Sequence, residues 1–255
     1  MPPDTQKNMI SKNQIKLIRS LEQKKNRRRE GLFVAEGPKV VGDLLRAGYQ
    51  PHSIFSTTDY PEAQLVTDEE LRRVSFLQHP QEVLAVMHLP TQQSPTPPDD
   101  IDQLSLALDG VQDPGNLGTI IRIADWFGID TIYCSADTAD AYNPKVVQAT
   151  MGSIAHVHTI YCDLAKLLRE VQCPVYGTLL DGKNLYQEEL SANGIIVMGN
   201  EGNGISDEIR QLVNRRLLIP NYHKTGEETA ESLNVAIATA VTCAEFRRRY
   251  PAFAE

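Results

Sequence analysis

The chain has 255 residues, of which 41% are hydrophobic and 23% charged, and its formal net charge at pH 7 is −8. That apolar fraction excludes disorder over the whole length, and 16 Gly and 15 Pro are too few for a collagen-like sequence. No apolar run approaches the ~18 residues of a membrane span, and the first ten residues lack the apolar stretch of a secretory signal, so we expect a globular protein of the cytoplasm with no membrane partner.

The basic charge is concentrated at the N-terminus. Residues 1–50 hold 11 Lys and Arg against 5 Asp and Glu, a balance of +6, so residues 51–255 carry −14. The segment 12–31 (KNQIKLIRSLEQKKNRRREG) mixes apolar and basic residues and predicts one basic amphipathic helix. A solvated helix face is the ordinary explanation, but the density of cations favours contact with a polyanion. The cations expected to make that contact are Lys24, Lys25, Arg27, Arg28 and Arg29.

The residues after the basic segment alternate between strand and helix patterns. Strands are predicted at 32–37, 52–57 and 82–89, with a helix at 38–48 and another from about Asp68. The following TQQSPTPPDD (91–100) contains three Pro and no other apolar side chain, which is typical of an extended linker. We therefore predict a first domain at 1–90, a linker at 91–103 and a second domain at 104–255.

The second domain carries a longer alternation of the same kind. Strands are predicted at 104–109, 130–134, 156–161, 174–180, 194–199 and 216–220, with helices near 117–127 and from Pro144, Asp163, Ser206 and about Glu231. This alternation predicts the α/β class, with a parallel sheet covered on both faces. The last helix has an apolar stripe, which indicates core or a dimer interface. Its members are Leu233, Ala236, Ile237, Ala240, Val241 and Ala244.

Three Gly/Asn-rich stretches follow strands of the second domain, where open α/β sheets bind ligands. They are DGVQDPGNLG (109–118), GNEGNG (199–204) and the segment from IPN (219–221) to SLN (232–234). In the first, Asn116 is placed to cap the helix that carries Arg122. Each stretch alone is a weak signal, because Gly-rich turns are usually structural and GNEGNG fits neither a P-loop nor a dinucleotide fingerprint.

Together and in this order, the three stretches resemble the motifs of the SpoU family of RNA ribose 2′-O-methyltransferases, members of the SPOUT class. The matching positions are Asn116, Gly118 and Arg122; Gly199, Asn200, Glu201, Gly202 and Gly204; Ile219-Pro220; and Ser232-Leu233-Asn234-Val235. The first domain resembles the ribosomal-protein-like RNA-binding domain common in the family, through FVAEGPKVV (33–41). One departure is the insertion 221–231, where the family usually has a short loop.

The resemblance implies methyl transfer from S-adenosylmethionine to a ribose 2′-hydroxyl of RNA by a homodimer whose catalytic domain forms a trefoil knot. Because the chain has a separate N-terminal domain, we expect the RNA to be rRNA rather than tRNA. The polyanion bound by the basic segment is then RNA. The residues implied for catalysis are Asn116, Arg122, Glu201, Ser232 and Asn234. Those implied for cofactor binding are Thr178, Gly199, Ile219 and Leu233.

Arg122 is the residue expected on the acceptor side. A guanidinium with a pKa above ~12 is a poor general base, so we expect it to clamp a phosphate and stabilise the developing alkoxide. A structural salt bridge with Asp125 is the alternative. Two further functions stay open: methylation of tRNA or of a base by the same fold, and a catalytically silent RNA-binding scaffold.

Metal is not part of the prediction. The cysteines Cys134, Cys162, Cys173 and Cys243 are too far apart in sequence for a C-x-x-C knuckle, and we interpret them as reduced and buried. His156 and His158 alternate on one predicted strand, where packed or surface histidines are commoner than a metal pair.

Overall fold

The computed structural model describes residues 9–91, 103–223 and 230–251, which fall into two compact units. The first unit contains 9–91 together with Asp140–Ala155, and the second contains the remaining described residues. Nearly all of the predicted linker lies outside the described residues, and the boundaries 1–90 and 104–255 stay a prediction. No sequence pattern signals that 140–155 packs within the first unit.

The helices and strands follow the alternation predicted from the sequence. The helices are α1 (Lys12–Ser20), α2 (Lys24–Glu30), α3 (Pro38–Arg46), α4 (Asp68–Val74), α5 (Pro114–Trp126), α6 (Pro144–Ala149), α7 (Leu164–Glu170), α8 (Asp207–Leu212) and α9 (Val235–Arg249). The strands are β1 (Leu32–Glu36), β2 (Pro51–Ser56), β3 (Gln64–Leu65), β4 (Val83–His88), β5 (Leu104–Asp109), β6 (Thr131–Cys134), β7 (His158–Tyr161), β8 (Val175–Asn184), β9 (Gly194–Gly199) and β10 (Arg215–Leu218). No described helix is long and apolar enough to span a membrane.

The described part of the first unit has a four-stranded sheet in the order β1-β4-β2-β3. β4 runs antiparallel to β1 and β2, whereas β3 pairs parallel with β2. Ile18 and Leu21 from the basic segment are buried against Phe55, Leu84 and Val86 of the sheet. The apolar face of the basic segment therefore belongs to the core, while Lys12, Lys16, Arg19, Lys25, Arg28 and Arg29 are exposed.

The basic segment is two helices, and the prediction of one continuous helix was wrong. α1 begins at a capping box, in which Ser11 and Gln14 exchange side-chain hydrogen bonds with each other's backbone, and it ends before Leu21. The buried side chain of Arg27 stabilises the break, because its Nη1 donates to the carbonyls of Leu21 and Glu22, both at 2.7 Å. Its Nε donates to Asp140 Oδ2 at 3.0 Å, and Nη2 contacts the same oxygen. Arg27 is thus a structural residue, which removes it from the predicted RNA-binding cations.

The second unit confirms the α/β class. Its described sheet has six strands in the order β10-β8-β9-β5-β6-β7, and every neighbouring pair is parallel. β5 and β9 are buried along their whole length at the centre of the sheet. Their carboxyl ends lie side by side, with Asp109 opposite Gly199.

α9 turns the predicted apolar stripe outward. It begins at Val235, after the cap residue Asn234, and not at Glu231. Its buried face contains Thr239, Cys243 and Phe246, and Phe246 packs edge-on against Tyr176 at 4.8 Å between ring centroids. Among the stripe residues Ala236 is buried, whereas Ile237 is 52% exposed. The stripe is therefore only partly core within this chain.

The cysteines and histidines fit structural roles. No disulfide joins the four cysteines, all of which lie within the described residues. Cys134 and Cys243 are buried as expected, whereas Cys162 and Cys173 are only half-buried. His156 lies 3.3 Å from a carboxylate oxygen of Asp125. Within the described ranges, no group of three or more His, Cys, Asp or Glu is arranged to hold a metal ion.

An ion-pair cluster at the end of α9 makes the stability of the fold depend on pH. Hydrogen bonds from Arg248, opposed in part by burial and reinforced by Arg249, hold the pKa of Glu245 at about 2. A lowered carboxyl pKa stabilises the fold above the unfolded value of 4.5, and that stabilisation is lost as the pH falls towards 2. We expect Glu245→Gln to lower the free energy of unfolding by about 1 kcal/mol at pH 7, since the arginine heads are partly solvated.

The measurement is urea unfolding of wild type and variant at pH 7 and again below pH 3. The difference should shrink at the lower pH. Glu189→Gln, at an exposed position, serves as the control and should change stability at neither pH. A deficit of equal size at both pH values would mean that packing, not the charge of Glu245, matters at this site.

Candidate active site

The three Gly/Asn-rich stretches meet at one edge of the parallel sheet. Gly110 follows β5, Asn200 follows β9, and Ile219 follows β10. Because the strands are parallel, their carboxyl ends share that edge. The predicted juxtaposition of the three stretches is therefore present.

The loop after β9 is closed by its own backbone. Asn200 and Gly204 exchange two backbone hydrogen bonds, each 2.9 Å long. The Asn200 side chain accepts from the N–H groups of Gly202 and Asn203 at 2.9 and 3.0 Å and donates to the Gly110 carbonyl at 2.7 Å. A Cβ at Gly199 would lie 2.2 Å from the backbone of Gly204, so this glycine is required for the loop to close.

Glu201 joins this loop to the start of α5. Its Oε1 accepts from Asn116 Nδ2 at 3.0 Å and from the Asp113 N–H at 3.1 Å, and its Oε2 accepts from the Gln112 N–H at 3.3 Å. Partial burial raises the pKa of Glu201, but these hydrogen bonds outweigh it and leave the pKa below its ordinary value. The side chain is therefore an ionised carboxylate whose acceptor positions are occupied, which suits positioning and not proton abstraction.

Asn116 links the first motif to the third. Its Oδ1 accepts from Asn234 Nδ2 at 2.9 Å, and Asn234 Oδ1 in turn accepts from the N–H groups of Ala236 and Ile237 at the start of α9. The sequence predicted Asn116 as the cap of α5, and this was wrong. The cap is Asp113, whose Oδ1 accepts from the Asn116 N–H at 2.8 Å. One chain of hydrogen bonds thus runs from Glu201 through Asn116 to Asn234.

Arg122 and Ser232 lie outside that chain. Arg122 is exposed, and its position on α5 lies about 120° around the helix axis from that of Asn116. It makes no hydrogen bond or ion pair with another described residue, and Asp125 contacts His156 instead, so the alternative salt bridge is absent. Ser232 is likewise exposed. The guanidinium of Arg122 is free to bind a phosphate or ribose oxygen.

The four residues predicted to bind the cofactor surround the same strand ends. Thr178 lies beside Met198, with its hydroxyl 3.6 Å from the sulfur. In the pairing of β8 with β10, Arg216 is opposite Gly177 and the next residue, Leu217, is opposite Lys183, so residues 178–182 bulge out of the sheet. Ile219 and Leu233 make no backbone hydrogen bonds to other described residues.

These groups fit S-adenosylmethionine. Backbone N–H and C=O groups at Ile219 and Leu233, which have no partner in the described part of the chain, match the polar edge of an adenine. The exposed side chains of Leu180 (76%) and Leu233 (50%) offer apolar contact to its faces. Gly199 also has a structural role, because only a glycine at this position allows its loop to close. It lies at the same edge, where its backbone can also face a ligand.

The remaining cations of the basic segment lie on the surface of the first unit. Lys25, Arg28 and Arg29 are exposed, Lys24 is half-buried, and Arg29 pairs with Glu30 at 2.8 Å. Arg27 alone is buried, at 1% exposure. We call Lys25, Arg28 and Arg29 the basic face.

Three residues that build the site were given no role by the sequence analysis. Asp109 accepts from the Ser206 N–H at 2.7 Å and anchors the start of α8. Asp113 caps α5, and Asn200 holds both its own loop and Gly110. The Asp113-Pro114 pair is an ordinary helix-start signal that identifies the cap from the sequence, whereas nothing local predicts the contact of Asp109.

Comparison with known proteins assigns both parts of the chain. The model of the SpoU rRNA methylase family matches residues 103–244, and that of the MRM3-like substrate-binding domain matches 12–85. A 23S rRNA (guanosine(2553)-2′-O)-methyltransferase, RlmP of Bacillus subtilis, is 32% identical over 91% of this chain and 95% of its own length.

Solved structures support the same family assignment. A TrmH-family RNA methyltransferase from Porphyromonas gingivalis is 41% identical, with a TM-score of 0.83 over 95% of this chain and 100% of that chain. An AdoMet-bound rRNA methyltransferase from Sinorhizobium meliloti is 30% identical, with a TM-score of 0.80 over 92% and 94% of the two chains. The chain is therefore an S-adenosylmethionine-dependent RNA methyltransferase and belongs to the SpoU rRNA methylase family.

Proposed function

We propose that this chain transfers the methyl group of S-adenosylmethionine to the ribose 2′-hydroxyl of a guanosine in large-subunit rRNA. The observation that carries the proposal is the hydrogen-bonded chain Glu201–Asn116–Asn234, which joins all three family motifs at one sheet edge. The choice of a guanosine is supported by RlmP and by RlmB of Neisseria meningitidis, 32% identical over 57% of this chain, which are both named as 23S rRNA guanosine 2′-O-methyltransferases.

The chain's own residues have separable roles in this reaction. S-adenosylmethionine supplies the methyl group on a sulfonium, so the protein must align donor and acceptor and needs no covalent intermediate. We assign the backbone at Thr178, Gly199, Ile219 and Leu233 to the cofactor. Arg122, which has no partner among the described residues, is assigned to a phosphate or the ribose oxygen of the RNA, where it stabilises developing negative charge.

Glu201, Asn116 and Asn234 are assigned to positioning. Glu201 is hydrogen-bonded by three groups of the α5 start, and Asn234 fixes the first turn of α9. Together they hold the α5 start, the β9 loop and the α9 start in register around the acceptor. Ser232, exposed two residues before Asn234, is assigned to contact with the RNA.

The test is methyl transfer to rRNA purified from a strain lacking this gene, followed by nucleoside analysis. We expect S-adenosylmethionine-dependent formation of 2′-O-methylguanosine. A base-methylated nucleoside would instead favour the base-modifying alternative, and modification of tRNA alone would reassign the substrate. Cofactor binding with no transfer to any RNA would support the silent scaffold.

RNA binding through the basic face is a separate prediction. Replacing Lys25, Arg28 and Arg29 together by Gln should weaken RNA binding and flatten its salt dependence, since each lost phosphate contact removes roughly 0.7–0.9 from the log–log slope. Affinity for S-adenosylmethionine should not change. Filter binding over a salt series checks the first effect and calorimetry the second. Lys166→Gln with Arg169→Gln, exposed cations of the second unit, is the control, and equal weakening by both sets would refute a special role of the basic face.

We also propose a homodimer, with the knotted topology that the family resemblance implies, acting in the cytoplasm. The outward face of α9 carries Ile237, which is 52% exposed, and Trp126 at the end of α5 is 84% exposed. Apolar side chains of this size are usually covered by a partner. We expect light scattering to give a dimer for the wild type and a monomer for Ile237→Asp, while Gln211→Asp, at an exposed position on α8, stays dimeric. A monomeric wild type at micromolar concentration would contradict the proposal.

A further inference from the structure

The F-x-x-E-G stretch of the first unit has a structural consequence that the proposed reaction does not use. Glu36 is buried, and its carboxylate accepts from the Phe76 N–H at 2.8 Å and from the Ser75 hydroxyl. These two residues follow α4, so Glu36 fixes the end of α4 and the start of the loop that leads to Gln81. Gly37 has φ +93°, and a Cβ there would lie 2.2 Å from Gln81 Oε1. The glycine thus leaves room for the Gln81 side chain.

That side chain lines a cavity of about 180 Å³ beside α4. Leu71 and Pro80 give the cavity apolar walls, and its polar lining is Thr57, Asp68, Arg72, Gln81 and Glu82. All of these polar residues except Thr57 are exposed, so the cavity is open to solvent. The volume is below the range for drug-sized ligands and suits a single planar ring system.

The polar side chains of the cavity have no partners among the described residues. Asp68 and Arg72 lie one turn apart on α4 but form no ion pair, whereas the neighbouring Arg73 pairs with Glu69 at 2.7 Å. Unpartnered groups of both charges in one cavity match a ligand that offers both donors and acceptors.

α4, which lines the cavity, also packs against the basic segment. α1 packs against α4, and Arg19 of α1 donates from Nε to the Arg73 carbonyl at 2.8 Å and stacks over the Phe76 ring at 5.5 Å. The helix that lines the cavity is therefore a packing neighbour of the basic segment. Single-stranded RNA is recognised by bases that are turned out of the stack and read along their edges.

We propose that this cavity binds one unpaired guanine of the RNA substrate, an inference that rests on the proposed function for the identity of the ligand as RNA. Guanine offers the O6/N7 acceptor pair that an arginine fork recognises, here Arg72, and N1–H and N2–H donors that the carboxylate of Asp68 can accept. Adenine has neither pair in that arrangement. The guanine in this cavity is distinct from the methylated nucleotide, which belongs to the second unit.

The experiment measures binding of the full-length protein to short single-stranded RNAs of uridine with one central guanine or adenine. We expect the wild type to prefer guanine over adenine by about tenfold. Arg72→Gln should abolish that preference, while Arg73→Gln, which removes the same charge from the adjacent position, keeps it. Arg122→Ala should also keep the preference, which separates the cavity from the acceptor site.

Two further measurements make the outcome decisive. An RNA with 6-thioguanosine at the central position should photocrosslink to the peptide containing 68–82, and melting curves of each variant exclude unfolding as a cause. No guanine preference in the wild type, or equal losses for Arg72→Gln and Arg73→Gln, would overturn the proposal. If rRNA methylation persists while the preference is absent, only the cavity assignment fails; if the preference is present but no RNA is methylated, the proposed function fails instead.

Discussion

Arg122→Ala should reduce methyl transfer by about 100- to 1000-fold and leave the fold and cofactor affinity almost unchanged. Arg122 is exposed and has no partner among the described residues, so its removal breaks no intramolecular bond that the structure describes. Its assigned work is done on the RNA and in the transition state, where losing one preorganised charge costs ~3–4 kcal/mol. Lysine should rescue poorly, because a point charge cannot reproduce a planar fork on phosphate and ribose oxygens.

The measurement is single-turnover transfer to deficient rRNA, together with S-adenosylmethionine titration and a melting curve. Arg169→Ala, an arginine of α7 whose partner is Glu208, is the matched control and should keep the wild-type rate. If Arg122→Ala retains more than about a tenth of the wild-type rate, the loss is under ~1.4 kcal/mol and Arg122 does not act on the acceptor.

Asp140→Ala should strongly destabilise the first unit. It removes the carboxylate bound to Nε and Nη2 of Arg27, and Arg27 is only 1% exposed. An uncompensated buried charge typically costs about 3–5 kcal/mol. The remaining bonds from Arg27 to the carbonyls of Leu21 and Glu22 cannot neutralise it, so the break between α1 and α2 should loosen as well.

Thermal melts followed by circular dichroism measure this effect, and RNA binding below the melting temperature reports on the basic face. Asp130→Ala, at an exposed position of the second unit, provides a control that should change stability by less than about 0.5 kcal/mol. An Asp140→Ala protein that melts with the wild type would show that water or rearrangement compensates Arg27.

The central strands could be predicted from the sequence because burial leaves a direct trace in it. β5 and β9 lie at the predicted residues, 104–109 and 194–199, since strands buried on both faces read as continuous apolar runs. The break after Ser20 could not be predicted. Leu21 continues the apolar pattern of α1, and no Pro or Gly interrupts it. The break depends on Arg27 reaching Asp140, 113 residues away, and such a contact leaves no local signal.

The candidate site, too, could be predicted from the sequence only in part. The strand order and the motif order place Asn116, Glu201 and Asn234 at one edge, which follows from the parallel sheet. The hydrogen bonds between them do not follow from it, and Asn116 was assigned a capping role that belongs to Asp113. The outward stripe of α9 was also ambiguous in sequence, because a helix that is apolar on one face and rich in Ala, Thr and Cys on the other has two faces that can pack.

The inclusion of Asp140–Ala155 in the first unit changes how this protein can be divided experimentally. A truncated protein that starts at residue 104 would contain nearly all of the segment matched by the methylase family model. It would nevertheless lack the residues that cover Val146, Val147 and Ile154, which are all buried. Tyr142 would lose Phe33, whose ring lies 4.8 Å away. A truncated catalytic domain should therefore aggregate or be cleaved within 140–155, and grafting the N-terminal unit onto another methyltransferase would require this segment to be transplanted with it.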